Sequence, residues 1–451
     1  MSTSKHVVII GNGISGITCA RHLRKLDDQV QITVISGESE YFFSRTALMY
    51  IYMGHMKFEH TQPYENWFWE KNRIELKHAW VKTVNFTSKS LHFGSGEQMN
   101  YDELVIATGS KPNKFGWPGQ DLKGVQGLYS KQDLELMEET TKSGVEHAVI
   151  VGGGLIGIEM AEMLAYRKIS VTFLVRETGF WRNILPKEES ELVGRHIREH
   201  HFELKLETEL DEIIGDKSGK VIAVKTKSGE EIPCQFVGLT AGVSPNVDFL
   251  KGSGLEIGRG VKIDSFFRTN IDHVYSIGDC AEFKEAPAED RKNIEQVWYT
   301  GRIHGEILAH NLIKKPVPYR PGVWFNSAKF LDIEYQTYGQ VPADWDRDQV
   351  KNFYWEHSGG KVAFRLLMHS DESILGVNVF GLRMRHEFFD RAIREKWSGE
   401  EVINKLEKAN FDPEFFAPYY KVIKEKFAAD FDKNISKVKL SWIQQLLGAR
   451  V

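Results

Sequence analysis

Cysteine is scarce in this chain: three in 451 residues, Cys19, Cys234 and Cys280. No CxxC or CxxH spacing links them. That excludes a disulfide scaffold and the usual zinc knuckles. Charge of one sign is also lacking. The formal net charge is −4, which gives no electrostatic reason to expect nucleic acid or an anionic membrane as a partner. No run of about eighteen apolar residues occurs, so no transmembrane helix is expected. The opening MSTSKHVVII has neither the basic region nor the long apolar core of a secretory leader, and the expected location is the cytoplasm. His196, His200 and His201 are the only histidine cluster singled out, and they read as a solvated helix end rather than a metal site. Hydrophobic residues at 41% and charged residues at 27% are ordinary for a globular protein. The length suggests roughly three domains.

What the chain does have is one unit used twice. Val7-Val8-Ile9-Ile10 is a short buried strand, followed by Gly11-x-Gly13-x-x-Gly16, a helical stretch to about Leu26 and a strand from Gln31 to Ile35. Ala148-Val149-Ile150-Val151 is followed by Gly152-x-Gly154-x-x-Gly157, a helix to about Tyr166 and a strand from Val171 to Val175. Each is a βαβ unit of the kind that builds parallel sheets. The repeat has a second half. Ala107-Thr108-Gly109-Ser110-Lys111-Pro112-Asn113 closes the first copy and Thr240-Ala241-Gly242-Val243-Ser244-Pro245-Asn246 the second. Two motifs recurring in the same order at similar distance argue for two related domains.

The glycines fit a dinucleotide. A pyrophosphate is large and anionic, and a helix N-terminus offers free N–H groups and partial positive charge. Gly11 permits the tight turn, Gly13 admits the phosphates and Gly16 lets helix and strand pack closely; Gly152, Gly154 and Gly157 repeat the pattern. Glu38, 22 residues after Gly16, suits a ribose with free hydroxyls. At the corresponding place in the second copy stand Arg176 and Glu177. An arginine accepts a 2′-phosphate and a glutamate holds a free 2′-hydroxyl, so NADH and NADPH both stay open, with a slight tilt to NADPH.

After Asn246 the chain returns to the first domain, through a strand Val274 to Ile277, the Gly278-Asp279 turn and a helix near Val297 to Leu312. The proline-rich segment Lys315 to Gly322 is the clearest linker. The expected fold is α/β: an FAD domain of residues 1–118 and 247–315, an NAD(P) domain of residues 119–246, and a C-terminal α+β domain of residues 316–451 with strands Phe325–Tyr338 and Lys361–Phe380 and helices after His386.

Gly11 to Ala20, Ala107-Thr108-Gly109, Gly152 to Glu159 and Ser276-Ile277-Gly278-Asp279 resemble, in order, the FAD fingerprint, the ATG motif, the NAD(P) fingerprint and the GD motif of the pyridine nucleotide-disulfide oxidoreductases. The branch most similar holds rubredoxin and ferredoxin reductases, NADH oxidases and the flavoprotein module of nitrite reductases. The resemblance implies two Rossmann-like domains and an interface-like domain, in which Ile374 to Gly381 matches the central strand and Phe330 to Gly339 the opening ones. It implies that Ser15, Ala107, Thr108, Gly109, Gly278 and Asp279 line the FAD, Asp279 on the ribityl chain, with Val81 at the adenine and Arg45 at the flavin or its pyrophosphate. Ile156, Glu159 and Gly242 would lie along the pyridine nucleotide, Glu159 at its nicotinamide end. Trp298 and Tyr299, at the start of the last FAD-domain helix, would flank the flavin or simply pack. Arg45, Glu159 and Trp298 are the candidates for a direct part in catalysis, and no metal is expected.

The family's disulfide reductases carry redox cysteines after the second strand of the FAD domain. Here Tyr41 to Gly54 contains none, and Ala47 stands about where single-cysteine members place theirs. Cys19 and Cys280 read as core, Cys234 as part of a strand. The flavin must then carry electrons onward itself, taking hydride from NAD(P)H at N5. The expected enzyme is a soluble FAD-dependent NAD(P)H oxidoreductase feeding a small carrier such as rubredoxin or ferredoxin, with a homodimer as one option for its assembly. One alternative is a membrane-associated quinone reductase, with Val438 to Leu447 as an amphipathic foot. Another is a nucleotide-responsive interaction protein like apoptosis-inducing factor.

Overall fold

The structure, a computed structural model, describes residues 5–411 and 418–433. The segment Val438 to Leu447 lies outside the described residues. The chain divides into two compact units. The first runs to Thr178 and resumes with His201–Pro321; the second joins Gly179–His200 to the chain from Gly322 onward.

Two five-stranded parallel sheets form the first unit. The order in one is Val274–Ser276, Glu103–Ile106, His6–Ile10, Gln31–Ser36, Ile74–His78. The order in the other is Val125–Gln126, Phe236–Leu239, His147–Val151, Ser170–Leu174, Glu203–Lys205. Listed outward from the same edge, the two are the same sheet twice. Register agrees too: His6 faces Gln31 in one and His147 faces Ser170 in the other. The central strands are unbroken apolar runs, as expected where helices cover both faces of a parallel sheet; Val7, Val8, Ile9, Ala148, Val149 and Ile150 are fully buried.

The duplication reaches a hydrogen-bond chain that sequence inspection passes over. His6 Nε2 meets Thr33 Oγ1 at 2.9 Å, and that hydroxyl donates to Glu75 Oε2 at 2.7 Å. In the second copy His147 Nε2 meets Thr172 Oγ1 at 3.0 Å, which donates to Glu203 Oε2 at 2.7 Å. Each buried threonine is thereby satisfied on both sides, and an unsatisfied one would cost about 1–3 kcal/mol.

The two closing motifs pair with each other. Ser110–Pro112 and Val243–Pro245 form an antiparallel ribbon in which Ser244 faces Lys111. Thr108 Oγ1 donates to Asn246 O at 2.7 Å, and Asn246 N–H donates to Gly109 O at 2.9 Å.

The second unit is built on an antiparallel sheet ordered Phe325–Phe330, Ile333–Gly339, Ile374–Phe380, Ala363–His369, Val350–Glu356, with Ile374–Phe380 in the middle. Helices His386–Arg394, Gly399–Asn404 and Tyr420–Phe431 pack on it through Phe389, Val402, Ile403, Ile423 and Phe427. The amphipathic helix Lys187–Glu199, which falls inside the expected 119–246 segment, belongs to this unit. Its attachment is ionic. Arg365, fully buried, donates to Glu189 at 2.9 Å, Glu188 at 2.7 Å and Asn352 at 2.6 Å, while Asn378 Nδ2 donates to the other Glu189 oxygen at 2.7 Å.

Candidate functional site

Each fingerprint sits where its strand ends and its helix begins. Gly11 (φ +116°) and Gly152 (φ +127°) make the turns. A Cβ on Gly11 would stand 2.1 Å from Ala107 O, and one on Gly16 2.0 Å from Gly11 O. A Cβ on Gly13 would meet no protein atom within 4 Å. The turn is therefore closed against the protein at two glycines and open at the third. Gly13 and Gly154 are the N-caps of helices Ile14–Leu26 and Leu155–Tyr166, and neither helix has a side-chain cap. By contrast Ser130 caps the helix Lys131–Thr140, accepting from Asp133 N–H. Two long helices that start on glycine without a capping side chain leave first-turn N–H groups for an anion. These residues fit a dinucleotide in both copies.

Around the first turn the structure gathers a polar cluster. Asp279 lies in the short Gly278–Cys280 turn, where Ser110 Oγ donates to it at 3.1 Å and Tyr129 Oη approaches at 3.4 Å. It caps no helix, since a strand, Ala281–Phe283, follows. Burial pushes its carboxyl above the ordinary aspartate value, with Ser110, Arg45 and Tyr129 pulling the other way. Gln296 Nε2 donates to Ser110 Oγ at 2.8 Å. Gly278 N–H donates to Nδ1 of the buried His304 at 3.2 Å, and His304 Nε2 stands 3.6 Å from Glu295. Ser15 Oγ would lie 2.3 Å from a Cβ on Gly278, so the first helix and the Gly278 turn touch.

Arg45 and Glu38 come together. The guanidinium grips the carboxylate at 2.7 and 2.6 Å, and Lys131 N–H adds a third donor to Glu38 at 2.8 Å. A carboxylate accepts about four hydrogen bonds, so ribose hydroxyls would share Glu38 with Arg45. Burial disfavours the charge on Arg45, but Glu38 outweighs it and its pKa lies above the ordinary arginine value. Val81 begins a strand of the small meander beyond Trp80, whose indole covers Gly37. That places Val81 near the end of the strand Gln31–Ser36, two residues short of Glu38.

In the second copy, Gly157 packs against Gly152 O and Thr240, and Gly242 (φ +89°) sits beside Asn113. Glu159 and the half-buried Ile156 lie on the helix Leu155–Tyr166. Glu159 is in the second helical turn, past the first-turn position where an acid simply complements the helix dipole. Burial, with Glu162 adding to it, pushes Glu159 up to about 7. Arg176 Nε donates to Glu177 at 2.8 Å; Arg176 is largely exposed and Glu177 mostly covered.

The short helix Leu48–Tyr52, which continues from Arg45-Thr46-Ala47, packs on the helix of Glu159. The Arg167 guanidinium lies 3.6 Å over the Tyr52 ring. Ala47, where thiol-using members place sulfur, directly precedes that short helix and has no sulfur to offer. All three cysteines are buried and free. Burial raises Cys19 and Cys234 to about 12 and Cys280 above the ordinary thiol value, which suppresses the thiolate that redox exchange needs. Cys234 follows the strand Glu231–Pro233 instead of lying in it. Trp298 and Tyr299 pack edge to face at 5.4 Å where the helix Trp298–Ile313 starts, Trp298 partly in solvent.

Sequence reading leaves out Tyr129, Ser110, Gln296 and His304. Ser110 could be suspected as the neighbour of Gly109; nothing local marks the other three. One reading is overturned. His196 is not solvated: it is 1% exposed and bonded to Asp332.

The family model for pyridine nucleotide-disulphide oxidoreductases matches residues 5–304. An NADH oxidase of Methanocaldococcus jannaschii is 25% identical over 421 residues, covering 88% of this chain and 93% of the relative. The ferredoxin reductase subunit of a 5,5′-dehydrodivanillate O-demethylase from a Sphingobium species is 28% identical over 342 residues, 75% of this chain and 82% of the relative. Among solved structures, the NAD-dependent persulfide reductase of A. fulgidus superposes with a TM-score of 0.82 at 22% identity, over 97% of this chain and 86% of that one; it shares the fold. Among the described residues no helix is long and apolar enough to cross a membrane. The chain belongs to the pyridine nucleotide-disulphide oxidoreductase family and is an oxidoreductase that works with FAD and NAD(P)H.

Proposed function

We propose that the chain is a cytoplasmic NADH-dependent flavin reductase that hands electrons to a small carrier protein, without a thiol in the path. The observation that carries this reading is the pairing of two uncapped glycine turns through one ribbon, beside a turn where Ala47 replaces any cysteine. Bound FAD supplies the chemistry, a two-electron intake and an onward release.

The chain's own residues bind, orient and screen. In this proposal the first-turn N–H groups after Gly13 and Gly154 hold the two pyrophosphates. Glu38, tied to Arg45, faces the adenosine ribose beside Val81. Ser15, Ala107, Thr108 and Gly109 line the cleft, and Asp279, steadied by Ser110 and Tyr129, faces the ribityl hydroxyls. Ile156, Glu159 and Gly242 line the nucleotide side, with Glu159 placed to change charge near neutral pH. Arg176 and Glu177 bear on nucleotide choice. Arg176 is already drawn onto Glu177, so a 2′-phosphate would have to compete for it and would meet the Glu177 carboxylate; that moves the reading from NADPH to NADH. A homodimer built on the C-terminal unit belongs to the same proposal, and light scattering tests it.

The deciding experiment is stopped-flow reduction of the FAD-loaded protein by NADH and by NADPH, then mixing with one-electron carrier proteins, quinones or oxygen. Rapid bleaching by NADH and rapid reoxidation by a rubredoxin or ferredoxin is the expected result. Reoxidation only by quinones, or slow turnover with every acceptor, overturns it.

A further inference from the structure

The second unit contains a cluster of two histidines and a carboxylate. His196 lies in the last turn of the helix Lys187–Glu199 and His200 is its C-cap. One turn apart, their rings stand 4.4 Å from each other. Asp332 comes from the tight turn between the strands Phe325–Phe330 and Ile333–Gly339. His196 Nε2 contacts Asp332 Oδ1, and His200 Nε2 lies 3.4 Å from the same oxygen. One donor atom from each of the three residues falls within 4.8 Å of the others.

We propose that His196, His200 and Asp332 bind one divalent transition-metal ion, with zinc the best match. Two imidazoles at i and i+4 plus a carboxylate are a donor set that zinc, cobalt(II) and nickel(II) favour. A tetrahedral ion with bonds of about 2.0–2.2 Å needs donors roughly 3.4 Å apart. His200 and Asp332 already stand at that spacing, and the exposed Asp332 side chain is free to open the remaining contact with His196.

The surroundings make this more than three nearby side chains. Ligating histidines nearly always engage their second ring nitrogen with a carboxylate or a backbone carbonyl. Here His200 Nδ1 meets His196 O at 3.0 Å, and His196 Nδ1 lies 3.5 Å from Glu199 Oε2. The bond at His200 leaves its Nε2 as the metal-facing atom, while the buried His196 Nδ1 makes no hydrogen bond and has Glu199 as its nearest carboxylate. Lys361 donates to the other Asp332 oxygen at 3.2 Å, which leaves Oδ1 for the ion. His200 and Asp332 are open to solvent, so the fourth position would carry water. Such an ion would tie the helix Lys187–Glu199 to the hairpin at Asp332.

Untagged, FAD-loaded protein stripped with a chelator is titrated with cobalt(II) and followed by its visible ligand-field bands, then with zinc by calorimetry and thermal melting. One saturable ion per chain and a raised melting temperature are expected. His200→Ala and Asp332→Ala, both at half-exposed sites, should abolish binding while keeping the native circular dichroism spectrum, the check that each variant folds. Glu199→Gln should weaken it roughly 10- to 100-fold, and His201→Ala, altering a neighbour outside the cluster, should leave it unchanged. Absence of saturable binding, binding that persists in His200→Ala and Asp332→Ala, or equal loss in His201→Ala overturns the proposal.

Discussion

Arg45 stacks its guanidinium on Tyr129, 4.4 Å from the ring centroid. Tyr129 also accepts the Ser110 N–H at 3.0 Å through its hydroxyl. The ring and the hydroxyl are therefore separable contributions. Tyr129→Phe keeps the stack and loses the hydroxyl's contacts with Ser110 N–H and Asp279, together worth about 1–2 kcal/mol or roughly five- to thirtyfold in FAD affinity. Tyr129→Leu loses the cation–π contact as well, a further ~1–2 kcal/mol. Flavin fluorescence during FAD titration measures both; equal loss in the two variants would contradict the assignment.

The glycine turn makes a sharper prediction. Gly13→Ala should fold with an unchanged circular dichroism spectrum, because its methyl meets no protein atom, yet bind FAD at least about tenfold more weakly. Gly11→Ala should fail differently. Its methyl meets Ala107 O at a φ that L-residues rarely adopt, so the fold itself should lose about 2 kcal/mol or more. A Gly13→Ala protein with native FAD affinity would remove the first cradle from the proposal.

Glu159 titrates near neutrality. A carboxyl whose folded pKa is raised holds its proton in the folded state while the unfolded chain releases it, so stability declines as pH rises from about 4.5 to about 7 and levels off above. Thermal melts across that window should flatten in Glu159→Gln. The KM for NADH should change near pH 7 in the native protein and not in the variant.

Much of this fold was legible because its signals are local. A parallel-sheet strand is a short apolar run, and its glycine turn adjoins it, so both βαβ units and the helices to Leu26 and Tyr166 fall within a residue or so of expectation. The expected linker, Lys315 to Gly322, spans the change of unit between Pro321 and Gly322. What the sequence hides is partnership at a distance. Tyr129 reaches Asp279 from 150 positions away, and Glu189 meets Arg365 from 176. Neither pairing leaves a periodic trace. His196 reads as solvated for the same reason, since its partner Asp332 is 136 positions away; His200 and His201 are exposed as expected.

Nucleotide choice should respond to one carboxylate. Glu177→Gln releases Arg176 from its ion pair and should raise kcat/KM for NADPH roughly tenfold, the equivalent of one charge-assisted hydrogen bond of about 1.5 kcal/mol. Steady-state kinetics with both nucleotides decide it. An unchanged kcat/KM for NADPH would mean that the 2′ position is read elsewhere.

Arg365 is the riskiest charge to remove. Arg365→Met strands Glu189 in the core of the second unit without its cation, at a cost of about 3–5 kcal/mol. Adding Glu189→Met should return much of that, because two apolar side chains then replace a buried ion pair. Denaturant melts of the single and double variants give the coupling.

The ribbon that joins Ser110–Pro112 to Val243–Pro245 has a consequence for how this protein tolerates change. The two closing motifs are joined there by main-chain pairing, which most substitutions leave intact. One inserted residue would instead invert the outlook of every side chain beyond it. Sequence can drift far along such a ribbon; its length cannot.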